Sequence, residues 1–265
     1  MAQPPEPREI YRRATEEGER RLAMSPLEKT STGFIAGITI VFGIVAFAMA
    51  EELARPRLGS ALAHLIGALA FGIGVVFVVV GRSELFTENF FGPVAAVIDR
   101  QHQSSAWIQL GQLWVVVLAL NLVGGAVMAA IFSVEGTLPT GAHHALAEAA
   151  REISTKSGLA TFTRGIAAGT LLTLLSYLLH AAESTGSRIV LAYVVGFFLA
   201  LGPFDHVVVS GLHLLFGVWL GDTVSYADVG FNLLLAGAGN LVGGLLLMTL
   251  THTAQVKGAR RGGNE

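Results

Sequence analysis

The chain has 265 residues, of which 52% are hydrophobic and 14% are charged, and its formal net charge at pH 7 is −2. Soluble domains carry about 25% charged residues, so the long apolar runs predict an all-α, multi-pass membrane protein rather than a soluble one. The weak net charge excludes the basic footprint of a nucleic-acid-binding protein, and the lack of cysteine excludes disulfides and thiolate metal sites.

Residues 1–30 form a charged tail. Its stretch "REIYRRATEEGERRLAM" has the composition of an amphipathic helix at or near the membrane surface. The tail contains no apolar core, so no cleavable signal peptide is expected.

Six apolar stretches then follow, each close to the roughly 20 residues that a membrane-spanning helix needs. We predict spans at 31–50, 60–80, 105–132, 160–180, 188–219 and 228–251. The second and fifth contain polar or Pro/Gly-rich interruptions and then resume with apolar residues. We therefore predict a channel domain over 31–252 and a basic tail over 253–265.

Lysine and arginine set the orientation of such a protein. They cluster in the two tails, at Arg8, Arg12, Arg13, Arg20, Arg21, Lys29, Lys257, Arg260 and Arg261. With six spans both tails lie on one side, and their charge predicts the cytoplasmic side of an inner or plasma membrane. The stretch "GAHHALAEAAREIS" at 141–154 then predicts a short amphipathic helix on the outer surface.

The two halves of the chain repeat a motif. "ALNLVGG" at 119–125 returns as "AGNLVGG" at 238–244, which sets Asn121 and Asn240 at an offset of 119 residues. The same offset, without gaps, sets Thr87 on His206, so that the polar break "ELFTEN" in span two aligns with "GPFDH" in span five.

Spans one and four share a second pattern at another offset, the GxxxG pairs Gly33/Gly37 and Gly165/Gly169. Each half thus has three helices, and because three is odd the second half enters the membrane in the opposite direction. This predicts an inverted 3+3 repeat with broken second and fifth helices, which is typical of a central solute pathway. Non-helical backbone at membrane depth persists only inside protein or along a wet cavity.

Four side chains in the breaks are candidates for the pore centre: His206, Thr87, Asp205 and Glu88. An imidazole can gain or lose a proton near neutral pH, and the Thr87 hydroxyl can donate or accept a hydrogen bond. The alternative is a structural His206 bonded to backbone carbonyls freed by the break.

Other residues are candidates for support or for a constriction. Asn121 and Asn240 are expected to hold the broken loops by hydrogen bonds. For Glu84, an ion pair with Arg82 is as plausible as contact with a solute. Apolar rings that dehydrate a solute are a known channel device, which makes candidates of Leu85, Phe86 and Phe204.

"ELFTEN", "FDH" and "GNLVGGLLLMTLTH" together resemble the formate/nitrite transporter family, in particular its YfdC-like branch. The resemblance covers about residues 30–255. It implies an aquaporin-like protomer in a homopentamer, with one pore per protomer and no cofactor. The family passes small monovalent anions such as formate and nitrite, often with proton coupling.

The resemblance also implies roles for individual residues. Leu85, Phe86 and Thr87 match the family loop in the second span, His206 matches its pore histidine, and Asp205 matches an acidic neighbour. The cytoplasmic-side constriction is implied at Phe71, Val75 and Leu199, the outer constriction at Leu172, and the basic residue of the outer mouth at Lys156.

Two positions depart from the family pattern. Gly169 stands where well-studied members have a pore asparagine, and Glu88 follows the threonine where a small residue is usual. A carboxylate near a pore disfavours anions unless it is protonated or salt-bridged.

The departures leave alternatives open. One is a channel for cations or neutral solutes, with Glu88 and Asp205 setting selectivity. Another is a non-conducting membrane scaffold. No catalytic dyad or triad, phosphate-binding loop or dinucleotide fingerprint occurs in the sequence, so an enzyme is not expected.

Overall fold

The structure is a computed structural model that describes residues 5–100, 104–221 and 223–261, with Arg260 and Arg261 described by their backbone alone. The ends of the two predicted tails, at 1–4 and 262–265, therefore lie outside the described residues. Regular structure in the described part is entirely helical, which confirms the all-α prediction.

Ten α-helices follow one another in the described part of the chain. Their bounds are α1 Pro7–Leu22, α2 Pro26–Val80, α3 Gly92–Asp99, α4 Ser104–Ser133, α5 Thr140–Ser154, α6 Gly158–Ala181, α7 Thr185–Leu201, α8 Val207–Leu220, α9 Tyr226–Val242 and α10 Leu250–Arg261. A 3₁₀ turn at Phe86–Phe90 precedes α3, and a π-helical segment at Gly243–Thr249 joins α9 to α10.

Four helical runs of the described residues are long and apolar enough to cross a membrane. They are α2, α4, α6 and the run from Tyr226 to Ala259, whereas α7 and α8 are shorter apolar helices. The bounds of α4 and α6 lie within a few residues of the predicted spans 105–132 and 160–180, whereas the first two predicted spans share α2 and the fifth covers α7 and α8.

The 55-residue α2 contains the first two predicted spans in two arms. They meet at Gly59, whose φ of 75° and ψ of 170° are readily accessible only to glycine. The arms pack face to face, since a Cβ added to Gly43 would lie 2.9 Å from the Cα of Gly74. Residues 43 and 74 lie nearly the same distance along the chain from Gly59, so α2 folds back on itself there.

The amphipathic helices predicted at both surfaces are present as α1 and α5. In α1 the buried positions recur every three or four residues, at Ile10, Tyr11, Ala14, Gly18 and Leu22, which is the spacing of one helical face. This face packs against α3, where a Cβ on Gly18 would lie 2.1 Å from the carbonyl oxygen of Gly92. In the same way α5 packs against α8.

The connections that follow α1 and α5 are also alike. Ser25 caps α2 by accepting the amide of Glu28, and Ser157 caps α6 by accepting the amide of Ala160. The two serines are 132 residues apart, the same offset that separates Gly33 from Gly165. The likeness between the halves therefore extends beyond the spans to α1 and α5. A cap of this kind contributes about 1 kcal/mol.

Candidate functional site

Two segments without α-helical structure lie between helices, and the residues next to the following helix in each are buried. The first follows the end of α2 at Val80, includes Arg82 at φ 51°, and continues through the 3₁₀ turn to α3. The second separates α7, ending at Leu201, from α8, beginning at Val207. Because such segments free backbone N–H and C=O groups from helical bonding, those groups need other partners.

Asn121 of α4 supplies partners for the first segment. Its amide oxygen accepts the N–H of Phe86 at 2.9 Å, and its amide nitrogen donates to the carbonyls of Gly33 at 2.8 Å and Glu84 at 2.9 Å. The side chain is fully buried, so it joins the first arm of α2, the break and α4.

Asn240 of α9 does the same for the second segment. Its oxygen accepts the N–H of Val207 at 2.9 Å, and its nitrogen donates to Gly165 at 2.8 Å and Asp205 at 2.9 Å. Both asparagines thus hold a break by the same three bonds, as the sequence predicts.

These bonds correct the register between the breaks. They make Glu84 equivalent to Asp205 and Phe86 equivalent to Val207, which is an offset of 121 residues. The predicted offset of 119, which aligns Thr87 with His206, is therefore wrong by two residues. Phe86 precedes its asparagine by 35 residues, whereas Val207 precedes its own by 33. A gapless alignment cannot represent this difference in length.

Thr87 and His206 nevertheless meet, because the two breaks face each other. Thr87 Oγ1 lies 2.7 Å from His206 Nε2, and the residues are 0% and 1% exposed. His206 also caps α8, its Nδ1 accepting the N–H of Val209 at 3.3 Å. A neutral imidazole that accepts at Nδ1 carries its proton at Nε2. It therefore donates to Thr87, whose own hydroxyl proton stays available.

Cavities lie on both sides of this pair. The α1 cavity, of about 650 Å³, is lined by α1, the first break, α6 and α7 and includes Arg20, Arg21, Arg82, Glu84, Glu88 and Ser176. The α5 cavity, of about 570 Å³, includes Lys156, Arg164, Phe204, Asp205, His206 and His213. Glu88 and His206 thus face different cavities.

The equivalent acidic residues Glu84 and Asp205 are each paired with a base near a surface helix. Glu84 lies 3.2 Å from Arg21 and 3.4 Å from Arg20, and Asp205 contacts the ammonium of Lys156. The predicted pair of Glu84 with Arg82 is not formed among the described residues, because α1 brings Arg20 and Arg21 to the carboxylate instead.

Arg21 keeps its charge in this setting. Burial opposes the charge of its guanidinium, but the neighbouring carboxylates, Glu84 foremost, outweigh burial and raise the pKa of Arg21. Arg21 also donates to the backbone oxygen of Glu88 at 3.1 Å and to Asn89 Oδ1 at 3.4 Å.

Glu88 has no such partner for its carboxyl group. The residue is 4% exposed, and its Oε1 atom is buried without a hydrogen-bond partner in the described part of the chain. Its backbone oxygen accepts bonds from Arg21 and from Ser176 at 3.1 Å.

The residues expected at the constrictions are all buried. Phe71 and Leu199 line the α5 cavity, which lies away from the N-terminal tail, and Val75 packs on Gly196. Leu172 lies on α6 one turn before Ser176, which lines the α1 cavity. The resemblance assigns these residues to constrictions by residue type, and the cavity that each of them approaches is known only from the structure.

The remaining apolar candidates lie at the breaks themselves. Leu85 and Phe86 are 1% and 4% exposed. Phe86 packs edge-on against Phe90 at 4.9 Å between ring centroids. Phe204 is half-buried on the wall of the α5 cavity and packs against Phe198 at 5.1 Å.

Gly169 has a packing reason for departing from the family pattern. A Cβ there would lie 2.1 Å from the carbonyl oxygen of Asn240, so no side chain fits. Gly37 meets the carbonyl of Asn121 in the same way, at 2.2 Å.

Sequence reasoning missed Arg21, Arg164 and His213. In the sequence Arg21 is only one of several cationic residues in the N-terminal tail. His213 lines the α5 cavity, and its Nδ1 lies 2.9 Å from the carbonyl oxygen of Val209 one helical turn earlier. In the described ranges no group of three or more His, Asp and Glu side chains is placed to hold a metal ion.

The described residues thus include helices long and apolar enough to cross a membrane and two cavities that adjoin the segments between helices. The sequence model described as "Formate/nitrite transporter" matches residues 8–254, and the chain belongs to this family. The chain is 24% identical over 249 residues to "Inner membrane protein YfdC" of Escherichia coli K12, covering 94% of this chain and 78% of that protein.

Solved structures share the fold. An "FNT family ion channel" superposes with a TM-score of 0.78 at 22% identity, covering 93% of this chain and 98% of that one. A "Pentameric formate channel with formate bound" superposes with a TM-score of 0.63 at 19% identity, covering 87% and 94%.

Proposed function

We propose that the chain forms six spans arranged as an inverted 3+3 repeat with broken second and fifth helices. The matched bonds of Asn121 and Asn240, the fold-back of α2 at Gly59 and the likeness of α1 to α5 support this arrangement. In an inverted repeat α1 and α5 lie on opposite membrane faces. With both tails cytoplasmic, the α1 cavity is the inner vestibule and the α5 cavity the outer one.

The function that this geometry favours best is passage of a small monovalent anion of the formate or nitrite class between the two vestibules. The observation that carries it is the buried 2.7 Å contact of Thr87 with His206, made between the two cavities by residues from both halves. Family membership supports the solute class.

Desolvation is the main barrier for such an anion, because a bare charge in a low-dielectric passage is costly. The free hydroxyl proton of Thr87 is available to offset part of this cost. When His206 binds a second proton, that proton lies on Nδ1 and displaces the hydrogen bond from the Val209 N–H. The Nε2–H group of the imidazolium can then pass its proton to the solute. The imidazole then regains a proton from the vestibule, and the solute crosses as a neutral acid.

A cation pathway is less well supported by the geometry. Of the three buried carboxylates at the breaks, two are neutralised, Glu84 by Arg21 and Asp205 by Lys156. Lys156 and Arg164 in the outer vestibule favour anions at that mouth.

The protein is proposed to assemble as a homopentamer in the bilayer. A formate channel that shares its fold is pentameric, which supports this count. Apolar side chains on the outside of α4 and α9, such as Val115 at 69% and Leu234 at 70% exposed, provide surface for lipid and neighbouring protomers.

Flux of formate and nitrite into proteoliposomes, measured across pH 5 to 8, roughly the range in which histidine changes charge, tests the function. We expect anion flux that rises with acidity and a weakened pH dependence in His206→Asn, because asparagine can cap α8 but cannot transfer a proton. His144→Asn, at an exposed position of α5, is the matched control and should keep the wild-type profile. Reversal potentials that follow a cation gradient, or no flux at all, would contradict the proposal.

A further inference from the structure

We propose that Glu88 is a second proton-carrying residue, which hands its proton to the anion at the inner vestibule. This inference rests on the anion transport proposed above. It assigns the proton donor on the α1 side of the pathway, where His206 has no access.

The first observation is the isolation of the Glu88 carboxyl group. It is 4% exposed, its Oε1 atom has no partner among the described residues, and it lines the α1 cavity next to Thr87. A buried carboxylate without a cation or hydrogen bonds is costly, and such groups are usually neutral. A protonated carboxyl group is a hydrogen-bond donor, and an anion in the cavity is the acceptor that it lacks.

The second observation concerns the nearest cation. Arg21 directs its guanidinium to the Glu84 carboxylate, to Glu17, to Asn89 and to the backbone oxygen of Glu88. No ion pair joins the Glu88 carboxyl group itself to a cationic side chain within the described ranges. Arg21 therefore neutralises Glu84 and leaves Glu88 to carry a proton.

Third, the turn that carries Glu88 is held rigidly. Ser176 and Arg21 bind the Glu88 carbonyl, Trp114 donates to the carbonyl of Asn89 at 3.1 Å, and Thr249 donates to that of Phe90 at 2.8 Å. These bonds hold the backbone of the turn in place, so the proton of the carboxyl group is exchanged within the cavity.

Other titratable or charged groups face the same cavity from every element around it. They are Arg13, Glu16, Glu17, Arg20 and Arg21 from α1, Arg82 and Glu84 from the first break, His180 from α6 and Arg188 from α7. Five arginines against three further carboxylates make the vestibule attractive to an anion while Glu88 is neutral.

The step balances as a proton transfer. The O–H bond of the Glu88 carboxyl group breaks, a new O–H bond forms on the anion, and the products are a Glu88 carboxylate and a neutral weak acid. Arg21 stabilises the new carboxylate until water in the α1 cavity returns a proton. One proton thus enters the pathway with each anion from this side.

Two measurements test the inference with Glu88→Gln, which keeps the shape of the side chain and can donate but not transfer a proton. Proton uptake that accompanies formate uptake into inside-out vesicles, in which the outer solution reaches the α1 cavity, should fall by roughly tenfold or more, because glutamine cannot take part in acid–base transfer. Infrared spectra of the purified protein at neutral pH should show the C=O stretch of a protonated carboxyl group that is absent from Glu88→Gln and shifts when formate is added.

Glu135→Gln, an exposed position between α4 and α5, is the control and should leave the spectrum and the proton coupling unchanged. Unfolding temperatures of the variants check that Glu88→Gln folds. Wild-type proton coupling in Glu88→Gln, or an unchanged carboxyl band, overturns the inference. Failure of the unmutated protein to move either anion would instead overturn the transport function, and the infrared band reports on Glu88 without transport.

Discussion

Asn121 and Asn240 show how one residue type compensates for a helix break. Each break frees an N–H and two C=O groups in apolar surroundings, and an amide side chain offers one acceptor and two donor hydrogens in the required number. Aspartate has the same shape but no donor, so it can satisfy only the N–H group.

We therefore expect Asn121→Asp to lower the free energy of unfolding by about 2–6 kcal/mol, because two buried carbonyls lose their donor at roughly 1–3 kcal/mol each. Asn240→Asp should cost a similar amount, since its three partners are equivalent. Thermal unfolding in detergent, followed by circular dichroism, measures both. The exposed change Gln255→Glu in α10 is the control, and an effect confined to one asparagine would contradict the equivalence of the halves.

At the scale of helices, close approach depends on glycines, and two of them face the asparagines that hold the breaks. Gly37 in α2 and Gly169 in α6 let each helix contact the backbone of the asparagine-bearing helix, α4 or α9. The atoms that an added Cβ would strike are backbone carbonyl oxygens, which cannot rotate away as a side chain can. Each contact also positions the amide that holds the neighbouring break, so helix packing and break geometry depend on each other.

Gly37→Ala and Gly169→Ala should each destabilise the protein by about 1–3 kcal/mol, the cost of overpacking a tight contact. Gly111→Ala, in α4 with nothing within 4 Å of the added Cβ, is the control and should be neutral or slightly stabilising. Melting temperatures and the yield of folded protein in gel filtration compare the three variants. Equal stability of all three would show that the α2–α4 and α6–α9 contacts are looser than described.

For the whole molecule, the proposed inverted repeat places the two vestibules on opposite sides of the membrane, and each contains a pair of acidic and cationic side chains. In each half a cationic residue in or directly after an amphipathic helix pairs with an acidic residue of a break, Arg21 with Glu84 and Lys156 with Asp205. Charged side chains therefore lie near the pathway on both sides. The cationic residue comes from α1 itself in one half and from the α5–α6 connection in the other.

The absence of cysteine allows this arrangement to be tested with single-cysteine variants. A membrane-impermeant maleimide should label Glu135→Cys in intact cells, because the α4–α5 connection is proposed to face outward. Glu16→Cys on α1 should be labelled only after the cells are opened. Labelling of both positions from one side would contradict the inverted arrangement, and the reverse pattern would contradict the orientation.

The sequence by itself determined the all-helical class and the positions of the apolar runs, and it predicted the two polar breaks and the asparagines expected to hold them. These features are local, because hydropathy, run length and a repeated seven-residue motif are complete within short segments. Thr87 and His206 were also found from sequence, although by an alignment two residues out of register.

Only the tertiary structure decided which charges pair, which vestibule each apolar residue faces, and that α1 brings Arg21 to Glu84. Arg21 and Glu84 are 63 residues apart, and Lys156 and Asp205 are 49 apart, so their contacts depend on how the helices pack. The Glu88 carboxyl group is unpaired for the same reason, because the packing of α1 directs the neighbouring Arg21 to other partners.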